Sequence, residues 1–414
     1  MYVSLFYFQV TVVLAGCGFL FYVYIVQMYG HFPVQHLIKA DALALRNVVD
    51  GSDVKPLTND EGGRVYTQNL FNAYETDQVT RYIKFHVPGS GSVCKGQRFL
   101  VYRCKNVCGG WGDRLKGITT MFLLAQLTNR TFLIDMPKPC EFSTLLSPNK
   151  YEWNKCLVEA KSVNSNSSKH ISLMSPINLK KMDDIIYGNL SKNRVISIQT
   201  NVQEVHKIRK HNTSRERIPW MYNLTDAEVL GSIIGTLFKP SLNLSDALVN
   251  FKTEDVRGRR LVCSHIRMGK NPTIPSDNNR RRDAPNATEI LNFLKQYDDD
   301  GNNAVFVATD SEEVRNQSRK LLSNFVSSDG KIIHVDRHNN VDKNDLCDGF
   351  FTVLLDYLIL SKCDVLLLTR SNFGAMASYI RGSSNGLYLQ NRTKGQSNIF
   401  RVSLSEVQET YKFV

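Results

Sequence analysis

The side chains best suited to chemistry fall in four short runs, each lying between an apolar stretch and a helix-like pattern. Cys263-Ser264-His265-Ile266-Arg267-Met268-Gly269 closes one apolar stretch. Strand alternation puts His265 and Arg267 on one face, and Gly269 lets the chain turn away. Arginine stays charged and offers a planar fork to two phosphate oxygens, so Arg267 suits a diphosphate; a surface arginine beside a histidine satisfied in the core is the plain alternative. Cys108-Gly109-Gly110-Trp111-Gly112-Asp113-Arg114 opens a helical pattern. Free N–H groups at a helix N-terminus, and glycines that admit close approach, make such a turn receptive to anions, with Gly110, Gly112 and Arg114 as candidates. Its spacing matches neither GxGxxG nor a Walker loop, so neither a dehydrogenase nor a P-loop kinase is indicated. Val307-Ala308-Thr309-Asp310-Ser311 brings Asp310 to a third junction, where capping the next helix is the simpler role. Leu368-Thr369-Arg370-Ser371-Asn372-Phe373-Gly374 brings the hydroxyl, amide and backbone donors of Ser371 and Asn372 to a fourth. Ligands of open α/β sheets bind beyond the carboxyl ends of the strands, so four such junctions together weigh more than any one.

The elements that position these runs are legible from Phe99 onward. Strands are expected at 131–135, 195–199, 260–266, 304–308, 331–335, 364–368 and 386–389, and helices at 114–127, 226–238, 287–297, 312–324, 349–361 and 375–381. Alternating strands and helices indicate βαβ units, and unbroken apolar runs such as Val365-Leu366-Leu367-Leu368 indicate sheets covered on both faces. The expected architecture is α/β, with two Rossmann-like domains facing a cleft: residues 96–222 on the acceptor side and 223–414 on the donor side. Ahead of them, Tyr2 to Tyr29 holds no Asp, Glu, Lys, Arg or His. About 20 apolar residues span a bilayer, so residues 1–29 read as an uncleaved N-terminal transmembrane helix. Residues 30–95 are polar and irregular, a stem and lead-in segment.

Composition narrows the partners. In 414 residues, 51 Lys and Arg exceed 39 Asp and Glu, a net charge of +12 that favours anionic ligands but is too dilute to indicate a nucleic-acid partner. Hydrophobic residues at 42% exclude a wholly disordered chain. Asp298-Asp299-Asp300 resembles a metal-binding D-x-D, yet it follows a helix and precedes Gly301-Asn302-Asn303, so a solvated loop is expected. Arg280-Arg281-Arg282 reads as a solvated charge run. Eight cysteines lie outside the apolar N-terminal run, and nine Asn-x-Ser/Thr sequences occur. Both suit an oxidising lumen, with pairing expected inside the 94–156 group and Asn129 expected in structure too close-packed for glycan.

His265-Ile266-Arg267-Met268-Gly269 resembles the H-x-R-x-G element of the superfamily of α1,2-, α1,6- and protein O-fucosyltransferases. Ala308-Thr309-Asp310, the helix around Asp356, and Thr369 to Gly374 look like its later elements, and Gly110-Trp111-Gly112-Asp113-Arg114 is similar to its N-terminal Gly-rich turn. The resemblance runs in order from about Cys108 to Arg381. It implies a GT-B architecture, GDP-fucose as donor substrate, inversion at the fucose anomeric carbon, and neither metal nor cofactor. It further implies that Arg267 holds the β-phosphate and stabilises departing GDP, that His265 contacts the nucleotide and that Asp356 reads the guanine. Asp310 would lie near the nucleotide, Ser371 and Asn372 at the diphosphate, and Gly110, Gly112, Arg114 and Gly269 within the donor-binding motifs. One departure stands out: Lys270 follows Gly269 where relatives commonly have Asp.

Metal-free cleavage of a sugar–phosphate bond needs a preorganised arginine and backbone donors for the leaving charge. Inversion also needs a base for the acceptor hydroxyl, and Asp113 and Asp277 are candidates from motif loops. The expected protein is a single-pass Golgi or ER membrane enzyme with its catalytic part lumenal, acting on a glycan or glycoprotein. The alternatives are a catalytically silent lumenal carbohydrate-binding or assembly protein, and a transferase using another nucleotide sugar.

Overall fold

The computed structural model describes residues 94–411 apart from 106, 178, 275–283, 299–300, 338–340 and 394–395. The expected membrane anchor (1–29), and the stem except its last two residues, lie outside the described residues. No helix among the described residues is long and apolar enough to cross a membrane.

In chain order the first half contains β1 (Phe99–Arg103), α1 (Trp111–Leu127), β2 (Thr131–Asp135), β3 (Leu146–Pro148), α2 (Leu157–Ser162), β4 (Ser168–Leu173), α3 (Leu179–Ile186), β5 (Val195–Thr200), α4 (Val205–Lys210) and α5 (Ser214–Arg217). There follow α6 (Asp226–Leu237), β6 (Phe238–Pro240), α7 (Leu242–Asn250), β7 (Arg260–Ile266), α8 (Ala287–Lys295), β8 (Asn303–Thr309), α9 (Glu312–Leu321) and β9 (Phe325–Val326). The chain ends with α10 (Lys343–Leu360), β10 (Val365–Leu368), α11 (Asn372–Arg381), β11 (Leu387–Thr393), β12 (Gln396–Arg401) and α12 (Leu404–Tyr411).

Two main sheets result. The first, ordered β2-β1-β5-β4, is parallel throughout. The second, ordered β12-β11-β10-β7-β8-β9, is parallel except for the β11–β12 edge pair. The α/β class with parallel sheets therefore holds. The expected boundary at 222/223 falls ahead of β6, which pairs back with β3 in an antiparallel ribbon; the second main sheet begins at β7.

Strands expected at 131, 195, 260, 304, 364 and 386 each begin within a residue of those positions. The strand expected at 331–335 is not one. Ile332, Ile333 and Val335 are buried, but β9 already holds the edge beside β8, and Ile333 instead packs on Gly349 of α10, where a Cβ would collide with its side chain. The helix expected from Gly349 starts earlier, at Lys343, because the Asp342 carboxylate caps it by accepting the Asn344 and Asp345 N–H groups at 2.8 and 2.9 Å.

Helix α1 is buried nearly all round, as a Leu-rich helix with only Asp113, Lys116 and Gln126 left partly exposed must be. It packs on β1, β2 and β5 of the first sheet and on α6 and α11. Trp111 at its start is 2% exposed, its ring centroid 5.7 Å from Phe142 and 5.9 and 6.1 Å from Phe350 and Tyr357 of α10. At Gly112 an added Cβ would sit 2.5 Å from the Phe373 backbone nitrogen, so the α1 and α11 backbones meet where only glycine fits.

All eight described cysteines are paired. Cys94–Cys156 and Cys104–Cys108 fall within the expected group, but Cys140 pairs with Cys347, 207 residues away, and Cys263 with Cys363. Cys140–Cys347 ties the segment after β2 to α10. Asn129, contrary to expectation, is exposed: it ends α1 in a left-handed turn, φ 48°.

Candidate functional site

A cavity of about 270 Å³ opens where the carboxyl ends of β7, β8 and β10 face the start of α1. Gly110, Trp111, Gly112 and Asp113 form one wall; His265, Arg267, Asp310, Asp356, Ser371 and Asn372 belong to the other. Nine of the residues singled out from sequence thus meet in one place, although they come from four separated runs and a helix.

Arg267 follows β7 and is fixed through its backbone. Its N–H donates to Thr369 Oγ1 at 2.9 Å, while that hydroxyl donates to His265 O at 3.0 Å, stitching β7 to β10. The guanidinium pairs with Asp310 through Nη1. Asp310 also accepts the N–H groups of Met268, Gly269 and Lys270 at 2.6, 2.8 and 3.2 Å, so the turn forms a nest of donors around it. Gly269 makes that turn possible at φ 76°, and it lies behind the cavity wall rather than on it. Capping of α9 falls to Ser311, whose Oγ accepts the Val314 N–H at 3.4 Å. Arg267 keeps 22% side-chain exposure and borders the cavity, whereas Lys270 reaches away to Glu313 at 2.9 Å.

The Gly-rich turn behaves differently. Its donors are taken by Asp336, whose carboxylate accepts the Cys108 N–H at 2.7 Å and the Gly109 N–H, and which pairs with Arg114. Arg114 also donates to Lys138 O at 2.8 Å and Gly109 O at 3.2 Å, and both charged side chains are 1% exposed. Arg114 therefore does not face the cavity; it clamps the turn to the 331–336 segment. Beside it, Asp113 accepts the Asn372 amide at 2.7 Å, lies 3.5 Å from Lys116 and keeps 32% side-chain exposure at the cavity edge. The other base candidate, Asp277, lies outside the described residues.

Helix α11 starts on the cavity. Ser371 stands at its N-cap without a side-chain capping bond, leaving the hydroxyl for another partner, and Phe373 follows on the wall. His265 is 5% exposed, tilted against Phe373 with ring centroids 5.0 Å apart, and pressed against Gly374, where a Cβ would lie 2.9 Å from its Nδ1. Deeper in, Asp356 of α10 accepts the Ser328 hydroxyl at 2.6 Å. Burial pushes its carboxyl pKa up to about 6, against the lowering effects of that hydrogen bond and of Arg315.

Sequence reasoning missed three contributors. Arg315, on α9, lines the cavity and donates to Gly330 O at 2.7 Å; its place four residues after Ser311, on the same helix face, was the available signal. Residues 331–335 form a wall that reads as a strand, and Asp336 sits 222 residues from Arg114, a pairing that no local pattern announces. Asp298, expected in a solvated loop, is instead buried at 4% exposure and accepts the Ser323 and Asn324 N–H groups at 2.6 and 2.7 Å; Asp299 and Asp300 lie outside the described residues.

The site can therefore offer an anion two arginines, Arg267 and Arg315, an α-helix N-terminus and the Ser371 hydroxyl, with the Asp113 carboxylate beside Asn372. No family model matches the chain, and no curated protein does. Among solved structures it is similar to a mutant of Arabidopsis thaliana FUT1 in complex with GDP, at 14% identity and TM-score 0.49 over 83% of this chain and 82% of that one. It is also similar to the fucosyltransferase NodZ from Bradyrhizobium, at 14% identity and TM-score 0.44 over 74% and 99%, and to POFUT1 in complex with GDP, at 11% and 0.39 over 72% and 99%. With TM-scores below 0.5, a functional reading has to stand on the site itself.

Proposed function

We propose that this chain is an inverting, metal-independent fucosyltransferase of GT-B architecture, transferring fucose from GDP-fucose to a glycan or glycoprotein acceptor in the Golgi or ER lumen. The observation that carries the reading is Arg267, held at the end of β7 with its guanidinium at the cavity and next to the N-terminus of α11. As the sugar–phosphate bond breaks, charge builds on the leaving diphosphate, and an arginine with helix N–H groups already in place stabilises it without reorganisation. Ser371 and Asn372 add donors, and Asp356, deep in the cavity, offers a carboxylate for a guanine N–H edge. Asp113, at the cavity edge beside Asn372, is the carboxylate this reading assigns as base for the acceptor hydroxyl.

One observation favours a second reading, a silent carbohydrate- or GDP-binding protein: Asp310 already neutralises Arg267. Purified protein incubated with a panel of nucleotide sugars separates the two. The transferase reading expects GDP alone among the nucleotides to raise the melting temperature, and GDP-fucose with acceptor to release GDP. Arg267→Ala should cut that release by about 10²–10³-fold, the scale of losing one preorganised charge donor, with the circular dichroism spectrum unchanged. Undiminished transfer would reject the role given to Arg267; binding without release by the wild type would select the silent reading.

A further inference from the structure

A second depression, open and of about 710 Å³, lies between α3 and the turn that follows it. Tyr187 stands in it 56% exposed. The ring is not loose. It stacks on His211, centroids 6.1 Å apart and planes 29° from parallel. His211 is itself held by Asp183 Oδ1 at 3.1 Å and Thr213 Oγ1 at 2.9 Å. One face of Tyr187 is thus backed by an oriented imidazole, while the residue as a whole keeps 56% exposure at the depression.

Two residues on, Asn189 begins Asn189-Leu190-Ser191. Asn189 is exposed, borders the same depression, and its side chain makes no hydrogen bond among the described residues. Of the nine Asn-x-Ser/Thr sequences, only this one has an aromatic residue two positions ahead of the asparagine. The pairing of all eight described cysteines adds an independent point: disulfides persist in the oxidising compartments where asparagine is glycosylated.

We propose that Asn189 carries an N-linked glycan whose first sugar lies on the face of Tyr187 away from His211. Asn189 Nδ2 bonds to C1 of a reducing-end sugar carried on a polyprenyl diphosphate. The C1–oxygen bond breaks, the diphosphate leaves with the electron pair, and one amide proton is lost to a base of the separate transferase that acts on the nascent chain. Once attached, the sugar turns a face of polarised C–H groups to the electron-rich face of the tyrosine. Its hydroxyls meet Lys181, Asp184 and Lys192 on the walls. The inference does not rest on the fucosyltransferase reading.

The test uses the full chain made in a secretory host. Enzymatic removal of N-glycans leaves aspartate wherever a sugar was attached, so mass spectrometry of the peptide spanning Tyr187 to Lys192 reads occupancy on the wild type. Occupied Asn189 is expected. Tyr187→Ala should then lower the melting temperature of the glycosylated protein by about 2 °C more than that of the deglycosylated protein, which loses only the contact with His211. Asn189→Gln should cost the same, about 2 °C, and abolish that excess, leaving Tyr187→Ala with only the loss of the His211 contact. An unmodified Asn189 overturns the proposal. A Tyr187→Ala effect that is equal in both forms, or absent from both, overturns the stacking.

Discussion

The turn after β1 and the turn after β7 each close around a carboxylate of the protein itself. Asp336 takes two backbone N–H groups and Arg114; Asp310 takes three and Arg267. The chemistry is nearly the same, and the exposure is not. The first pair is 1% exposed on both sides and spans elements more than 200 residues apart, whereas the second keeps 22% on its arginine, within one lobe and on the cavity. A glycine-rich turn opening a helix is thus not by itself a ligand cradle: its donors are spent wherever an internal anion reaches them first. What fits the β7 turn to the proposed diphosphate is the side of the arginine still turned to the cavity.

The comparison breaks most sharply at Asp336. Removing one partner of a buried ion pair leaves an uncompensated charge and costs about 3–5 kcal/mol, so Asp336→Asn should shift the urea unfolding midpoint strongly with the disulfides intact. Asp310→Asn, at the more open pair, should cost about 1–3 kcal/mol, mainly from weakened hydrogen bonds. Equal losses would show that sealing makes no difference and that the two turns are equivalent. An effect comparable to that of Asp310→Asn tests the contact between α1 and α11. Gly112→Ala places a Cβ against the Asn372–Phe373 backbone, which has no flexible end to move aside, and overpacking of that kind costs about 1–3 kcal/mol. The variant should also lose the Asp113–Asn372 hydrogen bond, seen as faster amide exchange at the start of α11.

Local pattern explains which parts of this site were readable. His265, Arg267 and Asp310 sit at strand ends whose apolar runs are continuous, so the period of the chain announces both the strand and its terminus. Ser371 and Asn372 were legible for the same reason. Asp336, Arg114 as a clamp, and Cys140–Cys347 were not, because each is defined by a partner more than 200 residues away. Residues 331–335 misled because burial, which the sequence does signal, was satisfied against α10 instead of in a ladder. Asn129 misled in the opposite sense: a polar residue between two apolar runs looked enclosed, but the left-handed turn carries it outward.

Asp356 provides the subtlest test, because its charge should act with opposite signs on stability and on binding. Its pKa is about 6 in the folded protein, against 3.8 for an unperturbed carboxyl. Between those values the folded chain holds a proton that the unfolded chain has released, so this residue's contribution to stability falls as pH rises through the window. If the ionised carboxylate accepts the guanine N–H edge, GDP affinity should move the other way, weakening about tenfold for each pH unit below about 6. Calorimetric titration with GDP from pH 4.5 to 7.5, as chosen test conditions, alongside unfolding curves at the same values, measures both slopes. Asp356→Asn should make both slopes shallower, leaving for binding the part that the terminal phosphate of GDP, itself titrating at about pH 6, contributes. A wild-type affinity independent of pH across this range, or an Asp356→Asn protein whose slope equals the wild-type slope, would remove Asp356 from the nucleotide site while leaving the contrast between the two turns intact.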